Sequence, residues 1–139
     1  VLPGGAVGLS REPAGDGGAL AHPAQVPALA DLIDLHHWWR VTGSVASVYR
    51  FIKAHRPEGA RLNGWGRRYP RPTAAFVDFE LPPVRAILES RGLNIVIAPL
   101  GRHLVGVRVD AQVVWTFPRP ADERLPSSVQ AILVVRQRL

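Results

Sequence analysis

The 139-residue chain contains no cysteine. Disulfides, thiolate zinc sites and thiol nucleophiles are thereby excluded, and the redox compartment stays open because a cysteine-free chain works in either. No apolar run reaches the ~18 residues of a membrane-spanning helix, so no transmembrane segment is expected. The chain starts at Val1 with neither an initiator methionine nor a basic-then-apolar leader, as expected of a processed or truncated end or of an alternative start codon. Lysine is nearly missing too: sixteen of the seventeen basic residues are arginine, and Lys53 is the exception. The formal charge of +6 conventionally points to an anionic partner, but so strong an arginine skew also fits codon bias in a GC-rich genome.

Motifs of nucleophilic and phosphate chemistry are also lacking. No Gly-x-Ser-x-Gly elbow is present, and Ser44, Ser47, Ser90, Ser127 and Ser128 form no distinctive arrangement with histidine. There is no Gly-x-x-x-x-Gly-Lys loop, and the N-terminal glycines do not stand between a strand and a helix. Neither nucleotide hydrolysis nor dinucleotide binding is supported, and no cofactor or metal is expected.

Apolar residues make up 47% of the chain, enough for a core, while thirteen glycines and thirteen prolines point to much loop or extended segment. Seventeen of the first thirty residues are Gly, Pro or Ala. Such residues bury little area and interrupt both regular periods, so residues 1–31 read as a flexible arm or linker ahead of a single domain at 32–139.

Within that domain the strongest signal lies between Val105 and Phe117. Val105, Val107, Val109, Ala111, Val113, Trp115 and Phe117 alternate with Gly106, Arg108, Asp110, Gln112 and Thr116, and Val114 is the one clear breach. Period two over that length means a strand with one buried face. Thirteen residues would run roughly 40 Å, so a bend or bulge is expected at Gly106 or near Asp110. Leu35, His37, Trp39 and Val41 share one face of an earlier strand. Ser44 then suits a helix N-cap, and Val45, Val48, Tyr49 and Ile52 form an apolar helical stripe that Pro57 and Gly59 end. Residues 61–73 read as loop, because Asn63-Gly64 and Trp65-Gly66 are turn dipeptides and Pro70 and Pro72 block a ladder. Further strands are expected over Ala75–Leu81 and Leu93–Ile97, the latter turning at Pro99–Arg102, and a last one over Val129–Val135; Arg85–Arg91 is ambiguous. A lone hairpin cannot offset its ordering entropy, so the helix must lie on the sheet. The expected fold is α+β: about five antiparallel strands with one helix on one face, in an order near β-α-β-β-β-β.

Few residues suggest chemistry. Adjacent His36 and His37 point to opposite faces of a strand, so Asp34 with His36 could share a metal, but two ligands do not make a site. Asp78 and Glu80, and likewise Arg108, Asp110 and Gln112, lie at i, i+2 spacing; such groups can divide acid and base roles or simply decorate a solvated face with cross-strand ion pairs. Asp110 stands out because it interrupts a valine-rich strand. Trp65, Arg67, Arg68, Tyr69 and Arg71 interleave aromatic and basic groups, a candidate anion-binding loop.

The strings LIDLHHWWRVTGSVASVYRFIKAHRPEGARL and IAPLGRHLVGVRVDAQVVWTFPRPADERLP, within residues 32–126, resemble a family of exported, lipoprotein-like proteins of high-GC Gram-positive bacteria, which brings no established activity. The resemblance matches Asp34, Leu35, His36, Trp39, His55, Pro57, Arg108, Asp110, Gln112, Trp115, Pro118, Arg119 and Glu123. His37 stands where the family has Arg, and the basic 65–72 segment replaces one that is often Ser/Gly-rich. The resemblance implies an extracytoplasmic location with the arm as a spacer behind an export signal or lipid anchor. A non-enzymatic domain binding a partner protein or cell-envelope component is then expected, through His36, Trp38, Arg108, Asp110 and Gln112. The alternatives are an Arg-rich nucleic-acid binder, which the resemblance disfavours, and a hydrolase using Asp110 with His36 or His55.

Overall fold

A computed structural model describes residues 2–21, 32–68, 71–82 and 88–115. Along the chain run β1 (Val7–Leu9), β2 (Leu32–Thr42), α1 (Val45–Ala54), β3 (Arg61–Arg68), β4 (Arg71–Glu80), β5 (Leu88–Gly101) and β6 (Leu104–Trp115). The strands make one antiparallel sheet in the spatial order β1-β2-β6-β5-β4-β3. The α+β class and the single helix agree with the periodicity, with six strands among the described residues where about five were expected. The run Val129–Val135 lies outside the described residues. No helix among them is long and apolar enough to cross a membrane.

The helix is built locally and then docked. Ser44 Oγ accepts from the Ser47 backbone N–H at 3.1 Å while Ser47 Oγ accepts from the Ser44 N–H at 3.0 Å, a reciprocal capping box. Val48 and Ile52, four residues apart, bury against Val41, Val77, Phe79, Ile95, Ile97, Val105 and Val107. The odd-numbered face of β6 is thus the floor of the main core.

Three local expectations fail. Residues 61–68 form β3 rather than loop. A register break between Leu62 and Gly64 absorbs the Asn-Gly pair, and Pro72 falls in the break between the pairs Arg67↔Ala75 and Arg68↔Arg71. The Phe76 ring fills the space beside the glycines: a Cβ on Gly64 or Gly66 would stand 3.6 or 3.4 Å from it, so packing from β4 replaces missing local propensity. Neither Gly106 nor Asp110 carries a bulge. The β2–β6 register runs unshifted from Leu32↔Val114 to Thr42↔Leu104, and the irregularities sit in β5 instead, at Leu88/Ser90 and Pro99/Gly101. β5 therefore continues through Pro99 to Gly101, and a two-residue turn, Arg102-His103, closes the hairpin.

The N-terminal segment also takes part. Val7–Leu9 pairs with β2, and Leu20 is fully buried with Ala19, Ala74, Val96 and Ala98 in a second cluster. Asp16 holds the turn that delivers it, accepting from the Gly18 N–H at 3.0 Å and the Leu20 N–H at 2.5 Å. Gly106 is where Leu20 lands: any Cβ there would overlap Leu20 Cδ1. The glycine expected to bend the strand instead admits a neighbour. Leu20→Ala should lower the unfolding free energy by about 2–4 kcal/mol, as for a fully buried leucine, measured by urea denaturation. A loss below about 0.5 kcal/mol, the range of an ordinary surface change, would show that the segment is not docked.

Candidate functional site

The face turned away from α1 is assembled by register. His36 of β2 stands opposite Asp110 of β6, Asp110 opposite Asn94 of β5, and Asn94 opposite Asp78 of β4. Residues directly opposite in antiparallel strands project to the same side, so four polar groups cross four strands in one row. In the flanking rows Trp38 faces Arg108 and Asp34 faces Gln112. The five residues singled out as a binding set therefore come together.

They are not equally accessible. Arg108 and Asp110, expected on a solvated face, are 1% and 3% exposed. The two stand at i, i+2 on one strand, and the guanidinium closes on the carboxylate, with Nε and Nη2 at 3.0 and 2.8 Å from Asp110 Oδ2. Arg108 Nη1 also donates to the Ala21 carbonyl, and Trp38 Nε1 donates to the Leu20 carbonyl at 3.0 Å. Alternation assigned the side of the strand correctly, but residues 19–21 cover part of that side.

The rest of the face is more open. His36 is exposed, and Asp34, Asp78, Asn94 and Gln112 are half-buried. Gln112 Nε2 donates to Asp34 Oδ2 at 3.3 Å, Asn94 Nδ2 donates to Asp78 Oδ1, and the His36 and Trp38 rings meet edge to face at 4.8 Å. Burial raises the Asp78 carboxyl above its ordinary value, and the Asn94 hydrogen bond opposes this only in part. Asn94 and Ala21 were not anticipated. Asn94 was marked only by its place between Leu93 and Ile95, and a backbone carbonyl such as Ala21's leaves no sequence signal.

The hydrolase reading fits this geometry poorly. His55 caps the far end of α1, with Nδ1 2.9 Å from the Phe51 carbonyl and its ring stacked on Phe51, across the sheet from Asp110. His36 is on the right side, but Asp110 is closed to water and substrate in this arrangement. Among the described residues no group of three or more His, Asp or Glu side chains is placed to hold a metal. The candidate anion-binding residues fall on a hairpin: Arg67 and Arg68 end β3, and Arg71, paired with Arg68, begins β4. Tyr69 lies outside the described residues, as do Pro118, Arg119 and Glu123. No protein-family model, curated protein or solved structure matches the chain.

Two measurements test the electrostatics. Arg108→Met strands a buried carboxylate and should cost about 3–5 kcal/mol, whereas Arg108→Met with Asp110→Leu should recover most of that loss. Additive single losses in urea denaturation would show that the pair is not coupled. Because the folded state holds the Asp78 proton to higher pH than the unfolded chain does, ionisation of Asp78 opposes folding: its contribution is full below the unfolded pKa and lost as pH rises through the raised one. Asp78→Asn should therefore gain stability relative to wild type between about pH 4 and about pH 7, the ordinary carboxylate titration range and above it. A constant difference across that range would contradict the shift.

Proposed function

We propose that this chain is a non-enzymatic binding domain, working on the extracytoplasmic side, that recognises a cell-envelope partner through the open half of its polar sheet face. The observation that carries this reading is the row His36, Asp110, Asn94, Asp78 across four strands. Its accessible members, with Asp34, offer carboxylate, amide and imidazole groups on a preformed β surface, a set that suits a partner presenting hydrogen-bond donors or positive charge. Arg108 and Asp110 have a different part: locked together and covered, they set the floor beneath the contact groups and do not touch the partner. Trp38 and Gln112 orient their neighbours, the first by its bond to the Leu20 carbonyl and the second by its bond to Asp34. The extracytoplasmic location is supported by the family resemblance at Asp34, His36, Arg108, Asp110 and Gln112. A nucleic-acid partner does not suit a face with this share of carboxylates.

Among the described histidines three are exposed and give a built-in footprint, since His36 lies on the polar face, His55 at the end of α1 and His103 in the β5–β6 turn. Diethyl pyrocarbonate labelling read by mass spectrometry, with and without purified Gram-positive cell-wall sacculi, should show protection of His36 and unchanged labelling of His55 and His103. Unprotected His36, or equal protection at all three, would overturn the reading.

A further inference from the structure

The opposite side of the molecule carries a second surface. Trp65 of β3 is 55% exposed. Its cross-strand partner is Val77, whose side chain lies in the helix-covered core, so the indole emerges on the α1 side at the rim of the sheet. Lys53, the only lysine in the chain, places Nζ 4.5 Å from the Trp65 ring centroid and 5.2 Å from that of Tyr49. Arg50 lies one turn earlier on the same helix face, and Arg67 lies two residues along the same strand face as Trp65; both are exposed. Between Val45 and Arg68 the chain holds six cationic residues and one acidic residue, Glu58. Arg61 is tied to Glu80 at 2.6 Å across the edge hairpin, and the charge set beside the indole is that of Lys53, with Arg50 one turn away on the same helix face.

We infer that this α1–β3 face docks on an anionic phospholipid surface, with Trp65 seated at the headgroup level and Arg50 and Lys53 on the lipid phosphates. The charge of the patch is complementary to such a surface, and cations near an anionic bilayer each add to binding. Indole is the side chain that favours the boundary between apolar and wet. A single-stranded nucleic acid would also meet the charge, but successive bases need a series of stacking platforms, and among the described side chains Trp65 is the one exposed Phe, Tyr or Trp. The polar row lies on the other side of the sheet, so a chain docked this way turns that row away from the bilayer. The inference is independent of what the row binds.

The test is sedimentation of the full chain with phosphatidylcholine vesicles and with mixed phosphatidylcholine/phosphatidylglycerol vesicles, together with quenching of tryptophan fluorescence by brominated lipid. Binding is expected only to the phosphatidylglycerol mixture, with quenching that disappears in Trp65→Phe. Each cation removed should weaken partition about fivefold, so Arg50→Gln with Lys53→Gln should lose about 25-fold. Arg40→Gln, an exposed change on the opposite face of the sheet, should leave partition near wild type. Circular dichroism on every variant separates loss of binding from loss of fold. The proposal is overturned by absence of binding to the anionic mixture, by a loss in Arg40→Gln as large as that in Lys53→Gln alone, or by quenching that persists in Trp65→Phe. Preference for an oligothymidylate over the vesicles, with Trp65 fluorescence quenched by the oligonucleotide, would assign the patch to nucleic acid and overturn it as well.

Discussion

Taking a guanidinium and a carboxylate out of water carries a desolvation penalty that only good geometry and added hydrogen bonds can offset. Much of this structure is arranged around that demand. Arg108 and Asp110 share one face of β6, and two guanidinium nitrogens reach the same carboxylate oxygen. The third guanidinium nitrogen, Nη1, donates to the Ala21 carbonyl, which obliges the N-terminal segment to cross the sheet at that point. Leu20 then needs a place beside the pair, and Gly106 provides it by having no side chain. Pairing of β1 with β2, the Asp16 turn and the Trp38 bond to the Leu20 carbonyl hold the same segment from other directions.

The sheet consequently has two interiors of different kinds. On the α1 side, valines, isoleucines and Phe79 close a core that depends on area alone. On the other side a small apolar cluster around Leu20 gives way, along the same strands, to the row of polar residues. Charge follows the same division. Asp34, Asp78, Glu80 and the covered Asp110 belong to the polar face, where Arg40, Arg61 and the covered Arg108 partly offset them, whereas Arg50, Lys53, Arg56 and Arg67 belong to α1, its C-terminal end and the β3 edge. A formal charge of +6 averages two surfaces of different composition, and it describes neither.

Several elements were legible because their causes are local. Ser44 and the stripe Val48 and Ile52 specify a helix whatever surrounds it, and the Val105–Val113 alternation specifies a strand and its core-facing side. β3 was not legible. Asn63, Gly64 and Gly66 have no strand propensity of their own, and the Phe76 ring that packs beside the glycines comes from a different strand. Residues 1–31 read as an arm on composition, since small residues promise little buried area; composition could not register that one leucine there meets one glycine in β6.

The candidate site divides in the same way. Sequence alone set the period of each strand, and with it the fact that Arg108, Asp110 and Gln112 share a side, as do His36 and Trp38, because side-chain direction in a strand follows from covalent geometry. Tertiary structure decided the register that lines His36, Asp110, Asn94 and Asp78 into one row, and decided that Arg108 and Asp110 would be shut away while His36 stays in water. Register and burial depend on which distant segments come to lie alongside and on top, and contacts made across that distance in the chain leave no periodic trace in it.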